Sequence, residues 1–128
     1  MAYEIPGQMV TLAASTNILS TTSANYQFRF VTVSTAGEAT VPSAAGAPIF
    51  GITQNKVTAG GEAVTVMING ISKLWSEGNV GEGGTISASS VGFASTVAAA
   101  HYTVGRVLTA SSGSTGLITV HITPIGTT

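Results

Sequence analysis

One segment of this chain occurs twice, and that repetition restricts the fold more than any other feature. Residues 50–68 (FGITQNKVTAGGEAVTVMI) align without gaps with residues 104–122 (VGRVLTASSGSTGLITVHI). The offset of 54 matches Gly51 with Gly105, Val64 with Ile118, Thr65 with Thr119, Val66 with Val120 and Ile68 with Ile122. In each copy an apolar stretch around a glycine leads into a small-residue turn and then into a strand of alternating character. That is a β-hairpin made twice. Two copies are too few for a solenoid, which needs at least three, so internal pseudo-symmetry within one domain is expected. The matched positions share no reactive side chain. The repeat specifies a scaffold.

The rest of the chain extends this reading. Residues 26–33 (YQFRFVTV) alternate with period two, placing Tyr26, Phe28 and Phe30 on one face of a strand and Gln27 and Arg29 on the other. A turn at residues 35–38 and a return strand at 39–41 follow, then a strand at 47–53. Residues 63–68 form the next strand, and Asn69-Gly70, both tolerant of positive φ, is read as a tight turn into residues 71–75. Residues 78–84 are turn-rich and 85–87 form a short strand. Residues 102–109 and 116–122 make a closing hairpin, and 124–128 are a short tail. Gly, Ser, Thr and Val dominate and no helical period appears. The prediction is an all-β fold: a compact antiparallel β-barrel or sandwich with an internal hairpin repeat and an extended N-terminal arm. The arm spans residues 1–8, which contain Pro6-Gly7 and no periodicity, and a single β-domain spans residues 9–128.

Composition narrows the function. Charged residues make up 7% of the chain, against about 25% in ordinary soluble domains. The cations are Arg29, Lys56, Lys73 and Arg106, the anions are five glutamates, and aspartate is absent. Hydroxyl and methyl surface costs little to desolvate, so such a chain suits large permanent contacts. Four dispersed cations cannot neutralise the roughly 6–10 phosphates of a nucleic-acid interface. No apolar run approaches the ~18 residues that would cross a membrane as a helix. The start, MAYEIPGQMV, has neither the basic nor the apolar region of a signal peptide, so synthesis in the cytoplasm is expected.

No catalytic set emerges. Without cysteine there is no thiolate ligand or nucleophile, and without aspartate no Ser-His-Asp triad. His101 and His121 have no metal-ligand spacing to each other or to Glu77 and Glu82, and His121 is expected on an exposed strand face. Glu77 and Glu82 flank a turn rather than a cleft, and the glycines at 78, 81, 83 and 84 match no phosphate-binding pattern. No enzyme activity, cofactor or metal is expected. Trp75, the single tryptophan, sits at a strand end beside the Gly-rich loop. It is either the large ring that closes one end of the core or an anchor at an interface.

The segments YQFRFVTVSTAGEATV, PIFGITQNKVTAGGEAVTVMINGISKL, GEGGTISASSVGFA and VGRVLTASSGSTGLITVHITP together resemble the small head-decoration (capsid cement) proteins of tailed bacteriophages, over residues 9–124. The turn aspartate usual in that family falls at Ser89 or Ser90 here. The resemblance implies an all-β domain on the outer surface of the capsid, bound to the major capsid protein, often as trimers, stabilising the shell without enzymatic activity. Tyr3, Ile5 and Pro6 in the arm, together with Trp75, become the candidate capsid contacts. The alternative is a glycan- or receptor-binding β-domain of a virion surface or tail, which would need more clustered aromatics than Trp75 alone supplies.

Overall fold

In the computed structural model, which describes residues 5–18, 26–77, 80–98, 100–110 and 115–127, the described residues contain strands, turns and one 3-10 turn at Thr16–Ile18, with no α-helix. The strands are β1 (Ile5–Ala13), β2 (Phe30–Val33), β3 (Ala39–Thr40), β4 (Gly51–Thr53), β5 (Ala63–Glu77), β6 (Thr85–Ala88), β7 (Ala94–Thr96), β8 (Tyr102–Thr109) and β9 (Thr115–Thr127). Five of them close a barrel in the order β5-β7-β6-β8-β9, with β9 returning to pair with β5. The expected choice between barrel and sandwich is therefore settled as a barrel, with the remaining strands outside its ring.

Those outer strands make a second ring. β5 also pairs with β4 and β1, β4 pairs with β2, and β2 with β3. A parallel bridge from Ala39 to Ala14 then returns to β1. The two rings share β5, whose first half belongs to one and whose second half belongs to the other.

The registers show that the two rings are one unit built twice. Leu12 lies across from Val64, and Leu74, 62 positions on, lies across from Ile118. Val31 pairs with Gly51, and Ile86, 55 positions on, pairs with Gly105. Thr32–Thr40 and Val33–Ala39 recur as Ser87–Ser95 and Ala88–Ala94. Ile52–Met67 and Thr53–Val66 recur as Arg106–His121 and Val107–Val120. Even the closing contact recurs: Ala14–Ala39 and Ser76–Ala94 are both parallel. The repeat visible in the sequence is thus the best preserved third of a complete duplication, in which β1 to β4 and the first half of β5 correspond to the second half of β5 and β6 to β9.

Each ring encloses its own apolar cluster. Ala14, Val31, Ala39, Val64 and Val66 fill the first, and their counterparts Ser76, Ile86, Ala94, Ile118 and Val120 line the second. A ring of five strands leaves a narrow interior, which explains the small residues Ala88, Ala94 and Ser76 at inward positions. One row differs between the halves for a clear reason. Phe30, Ile52 and Met67 of the first unit are buried within the cluster that fills the second barrel. Their counterparts Thr85, Arg106 and His121 are exposed, and the side chains have become polar.

Four expectations change. Asn69-Gly70 is no turn: β5 runs straight through it for 15 residues. Asn69 keeps an ordinary φ, and Gly70 has φ 128, outside the values a type I′ turn needs. Glycine is required there because β1 crosses it, and a Cβ on Gly70 would come within 2.6 Å of the Gly7 nitrogen. The arm is likewise docked from Ile5 onward, since β1 starts there and pairs with β5 at Ile71 and Gly70; residues 1–4 lie outside the described residues. Regular pairing of the 26–33 segment begins only at Phe30, because Phe28 leaves the extended region with φ 60. The expected C-terminal tail continues as strand, with Thr127 across from Tyr102.

The duplication makes a stability prediction. Gly51 and Gly105 occupy matching positions, where a Cβ would press on the carbonyl oxygens of the matching residues Met67 and His121. Gly51→Ala and Gly105→Ala should each cost about 1–3 kcal/mol by chemical denaturation, the range for overpacking. Gly81→Ala, which meets open space without positive φ, should stay within about 0.5 kcal/mol of the parent.

Candidate docking surface

The second half of β5 alternates strictly. Ser72, Leu74 and Ser76 point into the barrel and are buried, while Ile71, Lys73 and Trp75 point outward and are half-buried. Trp75 therefore does not fill the core. Its position across from Leu117, itself outward and half-buried, is fixed by the β5–β9 register, and Leu74 takes the inward place beside it. Of the two readings of Trp75 that the sequence leaves open, the core-closing one fails on this parity.

The arm reaches the same face. Ile5 lies across from Ile71, and directly opposed residues of an antiparallel pair project to the same side. Ile5, 57% exposed, thus leads along β5 through Ile71 and Lys73 to Trp75. Pro6 sits across from Gly70, and Tyr3 lies outside the described residues. Ile5 and Trp75, distant in sequence, are placed on one sheet face about 13 Å apart, four residues of strand rise.

Phe28 completes this surface, and the alternating pattern of residues 26–33 hid it. It adopts φ 60, a left-handed conformation that costs a residue with a Cβ about 1–2 kcal/mol. Two backbone hydrogen bonds hold it there: the Phe28 N–H donates to the Thr53 carbonyl at 2.8 Å, and the Trp75 N–H donates to the Phe28 carbonyl at 2.9 Å. The ring is turned toward Lys73, whose Nζ lies 5.4 Å from its centroid, within cation–π range. No sequence signal announces a left-handed phenylalanine.

The neighbouring loop is braced in the same manner. The Arg29 guanidinium lies between the rings of Tyr26 and Phe93, 5.0 and 4.3 Å from their centroids. Two of the chain's four cations are thus stacked on aromatic rings. The buried Tyr26 hydroxyl donates to the Phe30 carbonyl at 2.6 Å. It packs where Gly92, with φ 83, leaves no room for a side chain. Burial pushes the Tyr26 hydroxyl well above its ordinary pKa, and the nearby Arg29 charge offsets only part of that. Burial also lowers the pKa of Arg29. Ser89 does the work expected of a turn aspartate: its Oγ accepts from the Phe93 N–H at 3.0 Å and the Val91 N–H at 3.3 Å.

The remaining polar candidates do not converge. His121 is exposed on β9 beside Arg106, Glu77 ends β5, and Glu82 is exposed in the turn before β6. His101 packs over Gly46, with Nδ1 3.0 Å from the Ser87 hydroxyl and accepting from the Ala98 N–H at 3.3 Å. Among the described residues no three of His, Cys, Asp and Glu form a group that could hold a metal ion.

No family model matches the chain, and no curated protein matches it. Among solved structures it is similar to the N base of the head fiber protein gp8.5 of bacteriophage phi29. The TM-score is 0.68 over 91% of this chain and 95% of that one, at 14% sequence identity. At that identity the likeness is one of fold, and it spans both rings.

Tyr26 gives a pH prediction. Its folded pKa lies above the unfolded value of about 10, so the stability it contributes is complete below that pH and is lost as pH rises beyond it. Denaturation midpoints of the parent should fall between pH 8 and about pH 11. Tyr26→Phe should cost about 1 kcal/mol at neutral pH through the lost hydrogen bond and should show a shallower alkaline decline.

Proposed function

We propose that this chain is a structural protein of a tailed-phage virion, which sits on the outer surface of the capsid and stabilises it by binding the major capsid protein lattice. The observation that carries the reading is the fold shared with a phage head fiber base across nearly the whole of both chains. The sequence resemblance to head-decoration proteins points to the same class of virion component. The depletion of charge supports the reading, since a surface of methyl and hydroxyl groups is easily desolvated over a large area.

The face built by Ile5, Ile71, Lys73, Trp75 and Phe28 is the proposed capsid contact, and Tyr3 and Pro6 of the arm remain candidate contacts beside it. It offers a central half-buried indole with a neighbouring ring and cation, the residue types that dominate binding energy at protein interfaces. Docked copies gather as trimers in this reading, as the resemblance implies. The protein acts by contact, without catalysis or cofactor.

Co-sedimentation with phage heads lacking the protein tests this. Saturable binding at a fixed ratio to the major capsid subunit is expected. Trp75→Ala should weaken retention at least about tenfold, or ~1.4 kcal/mol, while Leu74→Ala should instead destabilise the fold by about 2–5 kcal/mol. A folded protein that ignores heads but binds a sugar on a glycan array would replace this reading with the glycan-binding one.

A further inference from the structure

Among the described residues β1 has one open edge. Its inner edge pairs with β5, and among the described residues its outer edge is met only at its end, where the Ser15 N–H donates to the Ala39 carbonyl. Alternation back from Ser15 turns the backbone groups of Thr11 and Met9 toward the edge that no described strand pairs. The strand, IPGQMVTLA, carries no charge to discourage pairing. Its two exposed large apolar side chains are Ile5 and Met9, at 57% and 41%.

The duplication shows what fits there. β1 corresponds to the second half of β5 at an offset of 62, so Ile5 matches Met67 and Met9 matches Ile71. The edge of β5 equivalent to the open edge of β1 is the one opposite β9, because β7 joins β5 there as β3 joins β1. That edge of β5 is covered by β1 itself, with Ile5 across from Ile71 and Met9 across from Met67. A strand covering β1 as β1 covers β5 would therefore place its position 5 opposite Met9 and its position 9 opposite Ile5. This register is self-complementary. It reads the same from either strand, with its centre at Gly7, so β1 can cover its own copy.

We propose that a second copy of this chain adds to the open edge of β1, the two β1 strands running antiparallel about a twofold axis at Gly7. Ile5 of each copy then lies opposite Met9 of the other, and both exposed apolar side chains are covered. Gly7, which already crosses Asn69 and Gly70 without room for a Cβ, leaves the axis free of side chains. The contact is isologous, as twofold symmetry requires. This inference does not depend on the capsid reading.

The test uses the free protein, which has no native cysteine. Directly opposed strand residues have Cα atoms about 4.5–5.5 Å apart, within disulfide reach. Ile5→Cys and Met9→Cys chains mixed under mild oxidation should form a disulfide-linked heterodimer, while each alone should cross-link at least about tenfold less, following the offset of their positions. Sedimentation of the parent should show a concentration-dependent dimer. Ile5→Lys/Met9→Lys sets like charges opposite each other and should be monomeric, whereas Ile5→Lys/Met9→Glu sets opposite charges face to face and should recover the dimer. Circular dichroism verifies that all variants stay folded. A parent that remains monomeric at every accessible concentration, or cross-linking as strong in either variant alone as in the mixture, overturns the proposal.

Discussion

The molecule depends on one strand that is paired on both of its edges in each of its halves. β5 is flanked by β1 and β4 in its first half and by β9 and β7 in its second, and at Gly70 and Ile71 it lies directly between β1 and β9. It is the last strand of one five-stranded ring and the first strand of the next. If the chain turned at Asn69-Gly70, the two rings would be separate hairpin assemblies with exposed edges. Because it does not turn, the rings are fused, and backbone hydrogen bonding does the joining without any side chain having to bridge them. Gly70 is the crossing point of that arrangement, since only a residue without a Cβ leaves room for β1 to pass at Gly7.

This explains which parts of the structure were legible in the sequence. The hairpin repeat was visible because Gly51 and Gly105 sit in identical contacts and because the inward residues Val64, Val66, Ile118 and Val120 face identical interiors. The equally faithful matches of β1 with β5, and of β2 and β3 with β6 and β7, were invisible. These strands are short, their offsets differ by several residues through unequal loops, and alanine stands for serine at matching inward positions. Asn69-Gly70 misled because a local turn signal and a tertiary crossing both ask for glycine. The outward surface was half legible. Ile5 has no fold role that the sequence supplies and Trp75 stays open between core and interface, whereas alternation groups Phe28 with Tyr26 and Phe30, and only its left-handed backbone sets it apart.

Closure also accounts for the low charge. Edge strands usually carry lysine or proline to prevent unwanted pairing. Here most edges among the described residues are consumed by a ring, so little of that protection is needed, and β1, whose outer edge is open among them, carries only Pro6 near its start and no charge. A twofold contact there does not compete in symmetry with the proposed threefold gathering on a shell. Closed lattices with threefold positions also contain twofolds between them, so one contact could serve within a cluster and the other between neighbouring clusters.

Comparing the two halves also separates what the fold demands from what it tolerates. Matching positions of the two units have equivalent strands, partners and faces, so a side chain that only serves the fold should look alike in both. Leu12 and Leu74 do. Phe30, Ile52 and Met67 differ from Thr85, Arg106 and His121, and burial of the first row explains it. Trp75 has no such explanation. Its counterpart is Ala13, and the counterpart of Lys73 is Thr11, both exposed on an intact strand. A fold that is satisfied with alanine and threonine in one half does not need tryptophan and lysine in the other. The indole, the ammonium and the strained Phe28 ring beside them are additions to the scaffold, and that asymmetry is the physical reason for proposing the docking face around Trp75.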